Sequence, residues 1–191
     1  MSAPKLAKTV YTYNGKVQKP SVTVKDSTGK QLKSGADYTV NYPKGHKAVG
    51  RYGVQVKLKG KYKGSRTVYF TVKPKGTSIS KVTGGKKKIT VTWKKQTAQT
   101  TGYQIQYSTS SNFKNAKTVT VSKNSTTKKT ITGLKNGKKY YVRVRTYKTV
   151  KTGRKSTKYY SSWSKSKTTG TAKKSAPKGN TCLLYTSPSP R

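Results

Sequence analysis

Side chains that hold metals, shuttle protons or attack carbonyls are nearly missing from this chain, and the few present stand apart. Asp26 and Asp37 are its two acidic residues, and no carboxylate side chain follows from Tyr38 to Arg191. There is one histidine, His46, and one cysteine, Cys182. General acid–base catalysis needs titratable groups poised across a substrate, and a triad needs nucleophile, imidazole and carboxylate together. Metal sites need three or four ligands. His46 lies in Pro43-Lys44-Gly45-His46-Lys47 with no second ligand type beside it, so neither a metal nor any other cofactor is expected. Asp37, in Gly35-Ala36-Asp37-Tyr38, reads as an acceptor for backbone donors of its own turn. Asn124-Ser125-Thr126 fits a glycosylation sequon, a three-residue match that chance supplies often and a bacterial source would leave idle. No glycine-rich run joins a strand to a helix, so no nucleotide-binding loop is expected. The expectation is a protein that is not an enzyme.

What remains is electrostatics. Forty-four Lys and Arg against two acids give a formal charge of +42, and thirty-eight of the cations are Lys. Lysine is a hydrated point charge suited to loose contact with polyanions, whereas bidentate recognition favours arginine. Two clusters stand out as candidate contacts. One is Lys57, Lys59, Lys61 and Lys63, at alternate positions; the other is Lys86-Lys87-Lys88. A solvated face that keeps the protein soluble and a polyanion-binding face are both open readings. For the second, the partner is a polyanion: in a cell envelope the anionic cell-wall polymers available are teichoic acid or the wall itself, and released DNA is another. A sequence-specific nucleic-acid reader is disfavoured, because the aromatics fall at core positions and leave few stacking platforms.

The elements that must carry these residues read as strands. The hydrophobic fraction, 29%, is low enough beside the charge to suggest disorder, but fifteen Tyr, two Trp and two Phe accompany apolar residues in alternating order. Tyr52, Val54, Val56 and Leu58 share one face of a strand, and Val68, Phe70 and Val72 share another. Ser21–Val24 and Tyr38–Tyr42 are shorter runs bounded by turn residues. After Lys73-Pro74-Lys75-Gly76-Thr77, which reads as a linker, the pattern resumes. Ile89, Val91 and Trp93 share a face, as do Tyr103, Ile105 and Tyr107. Val119 with Val121, and Ile131 near Leu134, end shorter runs. Tyr140, Val142, Val144 and Thr146 alternate with Tyr141, Arg143, Arg145 and Tyr147, and Tyr159–Thr168 is expected as a final strand. No stretch has a 3.6-residue period, so no helix is expected. Short strands with turns every ~8–12 residues point to all-β sandwiches.

No run approaches the ~18–20 apolar residues of a membrane span. Met1-Ser2-Ala3-Pro4-Lys5 lacks the apolar stretch of a secretory signal, which fits either a cytosolic protein or a fragment of a longer secreted chain. The last ten residues, Cys182 to Arg191, resemble translated sequencing-library adapter. That favours the fragment and leaves the compartment undetermined from cysteine usage.

The residues of the second unit resemble a fibronectin type III domain over about 77–168. Trp93 closes an early strand, Gly102-Tyr103-Gln104-Ile105-Gln106-Tyr107-Ser108 follows, and Leu134-Lys135-Asn136-Gly137-Lys138-Lys139-Tyr140-Tyr141-Val142-Arg143-Val144 is similar to the family's Leu-x-Pro-Gly-x-x-Tyr-x-Val-x-Val, with Asn136 where Pro is usual. The resemblance implies that Tyr140 forms a tyrosine corner, its ring buried and its hydroxyl bonded to nearby backbone. It also implies that Trp163, in Ser161-Ser162-Trp163-Ser164, stacks on Arg143 and Arg145. An aromatic sugar platform at Tyr159–Ser164 is the weaker alternative. The first unit is similar to immunoglobulin-like modules of secreted surface proteins of gut Firmicutes. Its matching segments are Tyr13–Lys16, Lys19–Val24, Gly35–Val40 and Gly60–Ser65, and its lack of acids departs from that family.

These readings divide the chain into an immunoglobulin-like module at 1–74, a fibronectin type III domain at 75–168, a flexible basic linker at 169–181 and adapter-derived sequence at 182–191. The functional expectation is a pair of extracellular or cell-wall-associated modules, structural and adhesive, that space other domains and associate with anionic envelope polymers. The alternative is a pair of accessory carbohydrate- or peptidoglycan-binding modules of a larger secreted hydrolase.

Overall fold

The computed structural model describes residues 2–171. Every regular element among them is a strand, and none of the described residues forms a helix long and apolar enough to cross a membrane. The linker residues 172–181 and the whole of 182–191, with Cys182, lie outside the described residues.

The first unit is built on a four-stranded mixed sheet. Strands β5 (Gly50–Leu58) and β6 (Ser65–Lys73) form its central hairpin, β4 (Tyr38–Asn41) adds antiparallel to β5, and β2 (Val10–Thr12) adds parallel to β6. A two-stranded ribbon, β1 (Lys5–Leu6) with β3 (Val22–Thr23), forms a separate sheet. The alternation of β5 puts Val54 and Val56 in the core and Lys57 outside. Val54, Phe70 and Val72 anchor one cluster, while Val24, Leu32, Tyr38 and Val56 anchor a second. Neither β1 nor β2 has an alternating pattern of its own. β2 exists because β6 offers it an edge some sixty residues away, a pairing that local periodicity does not report.

The second unit is a sandwich of two antiparallel sheets. One holds β11 (Lys128–Ile131), β8 (Lys88–Trp93) and β7 (Ile79–Gly85); the other holds β10 (Lys117–Val121), β9 (Gly102–Ser108), β12 (Lys139–Thr152) and β13 (Lys155–Tyr160), with β14 (Lys167–Gly170) also on β12. Inward residues of both sheets, Ile89, Val91 and Trp93 against Tyr103, Ile105, Val142 and Val144, make one core. Burying each of the aliphatic ones contributes about 1.5–3 kcal/mol. β7 was not expected from the sequence. A bulge between Ile79 and Lys81 breaks its period, so Ile79 and Val82 pack on the same core three positions apart.

Two expectations about the C-terminal end are corrected. The run Tyr159–Thr168 is not one strand. It breaks between Tyr160 and Lys167, where Ser161 and Ser164 still donate through their backbone N to Thr146 O and Val144 O, but their hydroxyls take the return bonds. Ser161 Oγ accepts from Thr146 N at 3.1 Å and Ser164 Oγ from Val144 N at 3.0 Å. The linker does not begin at Thr169, because Thr169 and Gly170 pair with Tyr140 and Lys139. The segment Lys73–Thr77 between the units is itself held: Pro74 is buried, and Thr146 Oγ1 donates to Lys75 O at 2.7 Å.

Candidate functional site

The two carboxylates are used locally. Asp26 Oδ1 accepts from Thr28 N, Thr28 Oγ1 and Lys30 N within 3.0 Å, and Asp37 Oδ2 accepts from Lys33 N at 2.8 Å. The Thr28 hydroxyl, with further backbone and Tyr62 hydrogen bonds, holds the Asp26 carboxyl below the usual carboxylate range. His46 is buried among Tyr42, Tyr52 and Phe70, its Nδ1 bonded to Pro43 O. Among the described residues no three His, Cys, Asp or Glu side chains gather as metal ligands.

The two sequence-predicted lysine clusters lie in different units. Lys57 stands on the outward side of β5, opposite Ser65 and Thr39. Lys59, Lys61 and Lys63 occupy the turn that follows β5. Lys59 Nζ donates to Gly35 O at 3.1 Å, and Lys61 Nζ lies 5.4 Å from the Tyr62 ring. Lys86 and Lys87 form the exposed β7–β8 turn and Lys88 opens β8, with Lys87 in a left-handed conformation at φ 50°. That turn is not free-standing. Lys87 N donates to Asn136 Oδ1 at 2.9 Å, and Leu134 N donates to Lys87 O at 3.0 Å.

This docking places Lys86–Lys88 beside a cleft of about 740 Å³ at one end of the second unit. Five lysines line it: Lys114 from the β9–β10 connection and Lys117 at the start of β10, then Lys135 and Lys138 from the β11–β12 connection and Lys139 at the start of β12. The sequence reading did not single these out for binding. Their signal was the density of Lys in Leu134–Tyr140, which was read for its fold, and the two segments meet only because β9 pairs with β12. Tyr107, Leu134 and Tyr140 supply the cleft's apolar lining, the two rings 6.3 Å apart. Burial, with Tyr140 beside it, pushes the Tyr107 phenol up.

Both walls are fixed by hydrogen bonds. Ser108 Oγ donates to Lys114 O at 2.8 Å and Asn112 Oδ1 accepts from Lys114 N at 2.9 Å. On the other wall the Tyr140 hydroxyl accepts from Lys135 N at 3.1 Å, while Thr171 donates to Lys135 O through Oγ1 and to Lys138 O through its backbone N. Leu134 is buried beneath this turn, in the core that also holds Trp93.

A ladder of rings and guanidiniums supports the β9–β10 wall from outside. Phe113, Arg143, Trp163, Arg145 and Tyr160 stack in that order, with guanidinium-to-centroid distances of 4.0, 4.8, 4.2 and 4.1 Å. Gln106 accepts from Arg143 and Gln104 from Arg145. Burial lowers both guanidinium pKa values; at Arg145 the Tyr160 phenol opposes that shift and the neighbouring Arg143 adds to it. Trp163 thus stacks on both Arg143 and Arg145.

Residues 72–162, just under half of the chain, match the family model of the fibronectin type III domain, a common extracellular structural or binding module. Solved structures similar to the chain include the two-domain fibronectin type III segment from chicken tenascin, at 23% identity and TM-score 0.42 over 66% of this chain and 68% of that one. The FN1–FN3 domains of chicken CNTN1 match at 22% identity and TM-score 0.43, over 66% of this chain and 44% of that one. A beta-1,2-glucanase from Parabacteroides distasonis matches at 16% identity and TM-score 0.39, over 63% of this chain and 18% of that one. No curated protein matches the chain.

Proposed function

We propose that this chain is a pair of non-catalytic β-modules of an extracellular or wall-associated protein, an immunoglobulin-like unit followed by the fibronectin type III domain. The pair spaces other domains and holds to anionic envelope polymers through its lysines. The observation that carries this reading is the fate of the two acidic side chains. Both lie in the first unit and both are turned into their own loops, so the lysines of the second unit have no carboxylate side chain of their own domain to answer them. A field of that size draws counterions, and a polymer that supplies many at once displaces them with a gain in entropy. The bonded Lys73–Thr77 segment suits a spacer, since a held linker transmits orientation where a loose one does not.

The test is binding of the purified chain to teichoic acid, peptidoglycan and duplex DNA across a salt series. Association with the wall polymers that weakens steeply with salt is the expected result. A shallow response, alike for every polymer, would leave solubility as the role of the charge.

A further inference from the structure

We propose that the cleft between the β9–β10 and β11–β12 connections is a binding site for an acidic polysaccharide, a chain of sugar rings bearing carboxylate or sulfate groups. This rests on the polyanion reading above and assigns it a place and a ligand class. Three features of the cleft set it apart from the other lysine-bearing surfaces.

The first is charge without compensation. Lys114, Lys117, Lys135, Lys138 and Lys139 converge on one concavity of about 740 Å³, in a domain with no acidic side chain. That volume falls in the ~300–1,000 Å³ range of small-ligand sites. The second is preorganisation. The backbones of Lys114, Lys135 and Lys138 are each held by hydrogen bonds with Ser108, Asn112, Tyr140 or Thr171, so ligand binding orders chiefly side chains. The stack of Phe113 on Arg143 ties the Lys114 loop to β12 in the same way. The third is the lining. Half-buried Tyr107 offers an apolar face, with the edges of the buried Leu134 and Tyr140 beside it, and Ser110, Asn115 and Thr132 offer polar groups at the rim. A bare phosphate chain has no apolar face to lay against such a lining. A pyranose ring has one, with hydroxyls at its rim and the acidic substituent directed to the lysines.

The experiment uses the full chain and three probes: polygalacturonate, its fully methyl-esterified neutral form, and linear polyphosphate. Affinities are measured across a salt series for the wild type and two triple variants of equal charge. One variant is Lys114→Gln, Lys135→Gln and Lys138→Gln; the other is Lys57→Gln, Lys59→Gln and Lys61→Gln. Thermal melting confirms that each variant folds. The wild type is expected to prefer polygalacturonate over polyphosphate and to ignore the neutral ester. The cleft variant is expected to lose about tenfold in polygalacturonate affinity. Its log–log salt slope should fall by roughly one unit per lysine removed, and the other triple, which removes only diffuse attraction, should lose distinctly less on both measures. Equal losses in the two triples would overturn the cleft while leaving diffuse polyanion association standing. Tighter binding of polyphosphate would overturn the saccharide assignment. Failure of the wild type to bind any of the probes or envelope polymers at physiological salt would overturn both readings.

Discussion

The guanidinium of Arg145 lies 4.2 Å from the centroid of the Trp163 indole, and on its other side 4.1 Å from that of Tyr160. The same guanidinium donates twice to Gln104 Oε1, at 3.0 and 2.7 Å. One cation thereby clamps β9, β12, the end of β13 and the irregular segment after it. Replacing it with lysine keeps the charge but loses the planar stack and the paired donors. Arg145→Lys is expected to destabilise the second unit by about 1–2 kcal/mol in urea unfolding. The salt dependence of polyanion binding should be unchanged, since the net charge is.

Gly84 of β7 and Gly170 of β14 approach so closely that a Cβ at Gly84 would lie 1.7 Å from Gly170 O. The atom it would strike is backbone, which cannot rotate away. Gly84→Ala should displace β14 from its place beside β7, costing more than about 2 kcal/mol. Faster amide exchange in Lys167–Gly170 would locate the effect.

Tyr140 contributes its ring to the core and its hydroxyl to Lys135 N. Tyr140→Phe keeps the ring and should cost about 1 kcal/mol. Leu134→Ala, in the same turn, removes buried volume and should cost about 2–4 kcal/mol. Chemical denaturation of both variants checks the order; a Tyr140→Phe loss as large as that of Leu134→Ala would mean that the hydroxyl does more than hold one amide.

Thr146 is fully buried and its hydroxyl donates to Lys75 O. Thr146→Val preserves shape and leaves that carbonyl without its partner, at a cost of about 1–2 kcal/mol. Trypsin cleavage after Lys75 should quicken, because the linker has lost a tether. Unchanged cleavage would show that Pro74 burial alone holds it.

Asp26 provides a pH test. Its hydrogen bonds, that from the Thr28 hydroxyl foremost, depress its pKa in the folded chain. Its stabilising contribution is therefore present above the unfolded carboxylate value and is lost as pH falls through the lower folded value. Acid should weaken the first unit in that window, and Asp26→Asn should flatten the dependence. Urea midpoints of the first unit followed against pH would show it.

Much of this molecule could be read before its fold was known. Removal of nearly every carboxylate, histidine and cysteine is a fact of composition. The alternation of Tyr52–Leu58 and Tyr140–Val144 reports burial directly, because a strand exposes every second side chain. What period two does not report is pairing between distant segments. β2 is a strand because β6 lies beside it, β7 hides its pattern behind a bulge, and the Ser161 and Ser164 hydroxyls interrupt what reads as one final strand. The same reason separates the predicted lysines from the cleft. Lys86–Lys88 announce themselves as a run, but Lys114 and Lys135 are twenty-one positions apart and face one concavity only because β9 and β12 are hydrogen-bonded neighbours. Charge is a property of the chain; its convergence on one site is set by strand register.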